Sequence, residues 1–140
     1  MIEVRKSEPD ETARIKELFE TVYVNTFSGH VPAFEEVTQD EKIYVALLDN
    51  CIVGFASIWE PDRFIHFLFV SPAVRNKGIG STLVSHLAAI YGMPLTLKCL
   101  IKNADGMAFY RATGWQVIEN GTSEDGAYTL LSYYDRKKSV

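Results

Sequence analysis

Apolar and polar positions alternate, run unbroken or recur at helical spacing in separate stretches of this chain, and each pattern predicts an element. Ile2-Glu3-Val4-Arg5 alternates as a short strand does. Ser7-Glu8-Pro9-Asp10-Glu11 opens a helix, with Asp10 as N-cap and Glu11 near the positive end of the dipole. Ile15, Leu18, Phe19 and Val22 then recur at helical spacing to about residue 23. Residues 25–33 read as a loop and 34–40 as a second short helix. Residues 43–48 and 51–59 are apolar strands joined at Asp49-Asn50, and a turn at 60–63 leads to Phe64-Ile65-His66-Phe67-Leu68-Phe69-Val70. That nearly continuous apolar run suits a strand buried at the centre of a sheet.

The period then changes. Ile79, Leu83, Leu87, Ala88 and Tyr91 place a helix over 78–91, stopped by Gly92 and Pro94. Residues 95–100 form a strand, and Asn103 starts a helix that ends at Gly114. Residues 115–119 and 127–134 close the chain as an antiparallel pair joined by a loop over 120–126. The order βααβββαβαββ predicts an α/β domain: a mixed, mostly antiparallel sheet flanked by helices.

With 140 residues the chain is one domain's length, and a domain of that size buries roughly 68–70% of its unfolded surface. An apolar fraction of 47% and a charged fraction of 23% exclude a disordered tail, a collagen-like rod and a coiled coil. No apolar run reaches the ~18 residues of a membrane span, and Met1-Ile2-Glu3-Val4-Arg5 has no signal-like core, so a cytoplasmic domain is expected. A net charge of −4 argues against nucleic-acid binding, and the one basic run, Arg136-Lys137-Lys138, reads as a solvated tail. Glu35, Glu36, Asp40 and Glu41 read either as a solvated helix face or as an attractor for a cationic substrate. Cys51 and Cys99 lie in apolar contexts as expected buried thiols, and neither they nor His30, His66 and His86 have metal-site spacing.

The segment that carries chemistry is Val70-Ser71-Pro72-Ala73-Val74-Arg75-Asn76-Lys77-Gly78-Ile79-Gly80-Ser81, between a buried strand and an amphipathic helix. Two glycines at a helix start let the backbone approach a ligand, and the unpaired N–H groups and dipole there favour an anion. Arg75 and Lys77 add positive charge. A Walker A loop is absent, and Leu83 stands where a Rossmann fingerprint needs its third glycine.

Arg75-Asn76-Lys77-Gly78-Ile79-Gly80, after the strand ending Leu68-Phe69-Val70, resembles the [RQ]-x-x-G-x-[GA] signature of the GCN5-related N-acetyltransferases (GNAT family). A second signature of that family fits Asn103, Ala108-Phe109-Tyr110 and Gly114-Trp115, and the element order covers the whole chain. The resemblance implies acetyl-CoA as co-substrate, and the Cys and His spacing leads to the expectation of no metal. The same resemblance implies that the N–H groups of Arg75, Asn76, Lys77, Gly78, Ile79, Gly80 and Ser81 hold the pyrophosphate. The backbone of Leu68, Phe69 and Val70 would pair with the pantetheine arm as an added strand does. Asn103 matches an asparagine that contacts the pantetheine, and it equally suits an N-cap. Tyr110 matches a tyrosine that protonates the departing thiolate, a role a phenol can fill because it is protonated at neutral pH.

Acyl transfer to an amine also needs a proton acceptor. His66 interrupts the strand two residues before Leu68, and an imidazole with an ordinary pKa near 6.5 suits the task. A structural histidine is the competing reading. Glu60, in the preceding turn, is the second candidate base. Acceptor selectivity is expected from residues 23–36 and 120–134, and Phe27, Phe34, Trp59, Tyr128 and Tyr133 are candidates for the cleft or the core. A ternary-complex transfer to a small-molecule amine is the expectation, with a protein amine also open and either a monomer or a homodimer as carrier. Cys99 lies in an apolar run and is read as a buried structural thiol, which disfavours a ping-pong route. Two other classes stay open: a non-catalytic acyl-CoA-binding or sensing domain, and an interaction domain without CoA.

Overall fold

The apolar segments between residues 42 and 70 form the middle of a single sheet in the computed structural model, which describes residues 1–27 and 30–134. The tail with Arg136-Lys137-Lys138 lies outside the described residues. Among the described residues there are seven strands: β1 (Ile2–Lys6), β2 (Lys42–Leu48), β3 (Cys51–Trp59), β4 (Phe64–Val70), β5 (Leu95–Leu100), β6 (Gln116–Ser123) and β7 (Gly126–Tyr133). They lie in the order β1-β2-β3-β4-β5-β7-β6. Every neighbouring pair is antiparallel except β4 with β5. Four helices cover the sheet: α1 (Thr12–Thr26), α2 (Phe34–Val37), α3 (Ile79–Tyr91) and α4 (Ala104–Ala112). The expected order and mixed topology are those observed.

Strand alternation divides the core into two layers. Ile15, Leu18, Phe19 and Val22 of α1 and Phe34 of α2 pack with Val45, Leu47, Phe55 and Phe69 of the sheet. Leu83, Val84 and Leu87 of α3 pack with Ala46, Ala56, Ile58 and Ile65 in the second layer. Burying one such aliphatic side chain contributes roughly 1.5–3 kcal/mol, so the stripe on α3 holds the start of that helix firmly beside the end of β4.

Several boundaries differ from the expected ones. Asp10 is not the cap of α1: a turn over Pro9–Glu11 precedes the helix, and the Glu11 carboxylate accepts the Glu8 N–H at 2.8 Å. Arg5 of β1 holds the same carboxylate at 2.7 and 2.9 Å, so a cross-element ion pair sets this start. Helix α1 runs on to Thr26 because Val22 and Tyr23 still pack on the inner layer. Helix α2 ends at Val37, where the Thr38 hydroxyl bonds the Phe34 carbonyl (2.8 Å). The expected 120–126 loop is mostly strand: β6 reaches Ser123 and Asn120 accepts a hydrogen bond from the Thr129 hydroxyl (2.7 Å). Cys99 is buried as expected, but Cys51, first in β3, is exposed. No helix among the described residues is long and apolar enough to cross a membrane.

Candidate active site

The parallel contact between β4 and β5 is brief. Phe64 pairs with Thr96 and Ile65 with Leu97, and no ladder pair follows. Beyond that point β4 keeps its bonds to β3 and β5 its bonds to β7, so the two strands part like a wedge. Their facing edges, Leu68, Phe69 and Val70 on one side and Lys98, Cys99 and Leu100 on the other, line a cleft of about 1470 Å³. An unpaired strand edge inside a cleft offers alternating N–H and C=O groups to any extended chain that enters.

The start of α3 closes one end. The Ser71 hydroxyl accepts the Ala73 N–H (3.3 Å) and turns the chain after β4. Asn76 and Gly78 take left-handed conformations (φ 66° and 79°), which asparagine tolerates and glycine adopts without strain. The first helical bond closes from Thr82 N–H to the Gly78 carbonyl (3.0 Å), so the N–H groups of Ile79, Gly80 and Ser81 precede the ladder. Arg75, Asn76, Gly78, Ile79, Gly80 and Ser81 line the cleft, whereas Lys77 is exposed outside its lining. Gly80 has a different reason from the one its position suggests. A Cβ there would lie 3.0 Å from the Phe109 ring, so its lack of a side chain lets α4 pack on α3.

Helix α4 forms the opposite wall. Asn103 is its N-cap, with Oδ1 accepting the Gly106 N–H at 3.0 Å, and it also lines the cleft. Arg75 reaches Asp105 across the mouth (3.8 Å), an exposed pair of the kind that contributes little to stability. Tyr110 is buried, 9% exposed, between Phe109 and Trp115 (ring centroids 5.2 and 5.3 Å), and lines the cleft with Cys99. Burial, and then the neighbouring Cys99, push its phenol well above the ordinary tyrosine value. Burial alone pushes the Cys99 thiol up to about 11.

His66 sits on a β-bulge. Ser57 pairs with Phe67 and Ile58 with Ile65, which leaves His66 as the extra residue on β4. Ile65 faces the α3 layer, while the His66 ring stacks on Phe67 at 4.0 Å with 20° between planes. Its Nδ1 lies 2.8 Å from Oε2 of Glu41, whose other oxygen accepts the Ser57 hydroxyl. An ionised carboxylate only accepts, so this contact is made by an Nδ1–H, and a neutral ring held this way has its lone pair on Nε2. His66 lines the cleft. Glu60 does not: it lies before Phe64, where the strands are still closed, and accepts a hydrogen bond from Tyr91 (2.7 Å).

The far end of the cleft is walled by Tyr23, Asn25, Thr26 and Phe27 of the α1 end, by Phe67, and by Ser123, Asp125 and Tyr128 of the last hairpin. Burial, and then the Asp125 carboxylate, raise the Tyr23 phenol. Of the five candidate aromatics, Phe27 and Tyr128 are here, with the Lys98 ammonium 4.8 Å from the Tyr128 ring centre. Phe34 is core against Phe55, Tyr133 packs on Trp115, and Trp59 is part exposed outside the cleft. Phe67 and Lys102 line the site with no sequence signal that marks them for it, and Tyr23 stands at the start of the stretch expected to set acceptor selectivity. Glu41 enters through His66, whereas the sequence offers it as one carboxylate of an acidic run.

The fold is shared with many solved structures. A GCN5-related N-acetyltransferase from Rhodopseudomonas palustris is 23% identical with a TM-score of 0.72, over 93% of each chain. The paia N-acetyltransferase of Thermoplasma acidophilum, solved with coenzyme A, is 19% identical with a TM-score of 0.74, over 95% of this chain and 99% of that one. The yncA protein of Salmonella typhimurium, solved with its cofactor acetyl-CoA, is 17% identical with a TM-score of 0.72, over 99% and 96%. Among curated proteins nothing matches. The model of the acetyltransferase (GNAT) family matches residues 10–115, from the approach to α1 through both signatures to Trp115, and the chain belongs to that family.

Proposed function

We propose that the cleft binds acetyl-CoA and that the chain transfers the acetyl group directly to a primary amine within one ternary complex, with a small-molecule amine as acceptor. The observation that carries this reading is the convergence on one cleft of an open strand edge, a helix N-terminus, a neutral buried phenol and an oriented imidazole. A thiol held up at about 11 is scarcely ionised at neutral pH, which supports direct transfer over an acyl-Cys99 route.

Acetyl-CoA, when bound, supplies an activated acyl carbon and a thiolate leaving group. The N–H groups of Ile79, Gly80 and Ser81, with the Gly78 turn, take the pyrophosphate charge, and Arg75, Asn76 and the nearby Lys77 add to the attraction. The edge of Leu68, Phe69 and Val70 bonds the pantetheine amides, and Asn103, its Oδ1 committed to the cap, offers Nδ2. His66 Nε2 takes the proton that leaves the amine nitrogen as the C–N bond forms. Tyr110 gives its hydroxyl proton to sulfur as the C–S bond breaks. One proton is gained at His66 and one lost at Tyr110, so exchange with solvent restores both before the next turnover. Glu60, engaged by Tyr91 away from the cleft, has no part in this scheme. Tyr23, Phe27 and Phe67, with the Asp125 carboxylate, form the wall that meets the acceptor amine.

Thermal stability with acetyl-CoA tests the binding half. At ~100-fold its Kd the ligand is expected to add about 2.7 kcal/mol, a plain rise in Tm. Gly78→Glu, which places a carboxylate at the mouth and a side chain at φ 79°, is expected to abolish that rise. An unchanged Tm for the wild-type protein at millimolar acetyl-CoA would overturn the reading.

A further inference from the structure

Ser57 is fully buried in β3 among Val53, Phe55, Ala56 and Ile58, the one hydroxyl in that stretch of an otherwise apolar strand. A buried hydroxyl is costly unless bonded, and the partner of this one is the Glu41 carboxylate. Glu41 is itself drawn inward, with only 9% of its side chain exposed. It leaves the left-handed Asp40 (φ 65°) just before β2, and its carboxylate lies between Ser57 of β3 and His66 of β4. Among the described residues its ion-pair partner is His66, 37% exposed on the cleft side. A partly buried carboxylate–imidazole pair is a weak source of stability, because desolvation offsets much of the attraction. The arrangement therefore has a clearer use in fixing one ring nitrogen than in holding the sheet together.

We infer that Glu41 is the positioning residue for His66: anchored by the Ser57 hydroxyl, it holds the imidazole as the Nδ1–H tautomer, so that Nε2 is the nitrogen that accepts the amine proton. The inference rests on the reading of His66 as the base and adds to it the residue that sets its tautomer and orientation. The two parts of the clamp differ in kind. Phe67 covers a face of the ring at 4.0 Å and restricts its tilt, while Glu41 fixes its rotation through Nδ1. As the proton arrives, the carboxylate also stabilises the imidazolium.

The first test needs no substitution. Long-range ¹H–¹⁵N spectra of the ¹⁵N-labelled protein at about pH 9, where an ordinary imidazole is neutral, report which nitrogen carries hydrogen, with the His66 signals assigned by their loss in His66→Gln. The Nδ1–H pattern is expected for His66, and the Nε2–H pattern would overturn the proposal. The second test is Glu41→Gln: with the amide oxygen accepting the Ser57 hydroxyl, its NH2 faces Nδ1 and favours the tautomer with no lone pair at Nε2. It is expected to lower kcat by about 10²–10⁴, to change KM for acetyl-CoA less than threefold, and to move the His66 signals toward Nε2–H. If His66→Ala loses turnover while Glu41→Gln keeps both kcat and tautomer, the positioning role falls and the base stands. If both variants keep wild-type kcat, the base reading falls and takes this one with it. Should Glu41→Gln not fold, the wild-type tautomer decides.

Discussion

Replacing His66 with alanine is expected to lower kcat by about 10²–10⁴, the usual range for a general base, with acetyl-CoA affinity unchanged within a few fold. The imidazole stands on the bulge of β4, two residues short of the open edge, while the N–H groups proposed for the pyrophosphate lie at the start of α3. The loss should therefore appear in the chemical step and not in cofactor binding. Some stability is lost as well, since Phe67 loses its stacked neighbour and Glu41 keeps only Ser57 among its two partners. The site is part exposed, so water refills it and the loss stays near the low end of the ~1–3 kcal/mol range for a deprived buried acceptor. Rates compared on protein of verified Tm separate the two effects. Added imidazole should restore part of the rate in His66→Ala, because it supplies the missing base to a cleft that still holds Glu41. Wild-type kcat in the alanine variant would remove His66 from the mechanism.

Tyr110→Phe is expected to cost about 10²–10³ in kcat, comparable to removing one donor from a developing anion. The phenyl ring preserves the contacts with Phe109 and Trp115, so folding and acetyl-CoA binding should survive. The pH dependence is distinctive. A phenol acts as an acid only while protonated, and burial raises Tyr110 above its ordinary value. The donor is then intact throughout the range below about pH 10, and no alkaline fall in kcat in that range is owed to it. The stability sign agrees: unfolding returns the phenol to its ordinary value, so stability is full below about pH 10 and declines as pH rises beyond it. A Tyr110→Phe variant with wild-type kcat would exclude the phenol as the proton donor to sulfur.

Much of this site is visible in one dimension because its parts are local. The apolar run 64–70, the Gly78 turn and the α3 stripe are contiguous, and Tyr110 and Asn103 share one short helix. What escapes a linear reading depends on neighbours across the sheet. Glu41 is 25 positions from His66 and sits in a stretch whose other carboxylates, Glu35, Glu36 and Asp40, are exposed, so nothing local marks it as the one that turns inward. The bulge that makes room for His66 is a property of the β3–β4 register, not of either strand alone. Glu60 is near His66 in sequence but at the closed end of the wedge, where Tyr91 from the end of α3 reaches it. Gly80 carries a motif position whose geometric reason is the Phe109 ring 29 residues away in sequence. The strand reach of β6 to Ser123 likewise follows from pairing with β7, because residues 120–123 have turn-like composition and gain their extended form from partners such as Thr129.

The most direct test of the account is acetyl transfer itself: release of CoA thiol from acetyl-CoA across a panel of small primary amines, with each product weighed for the added acetyl group. The account predicts thiol release that depends on the amine, an acetamide product, and a rate that collapses in both His66→Ala and Tyr110→Phe while acetyl-CoA still raises Tm in each. Stabilisation by acetyl-CoA with no amine of any class acetylated, protein amines included, would contradict it and leave a domain that holds the co-substrate without turning it over.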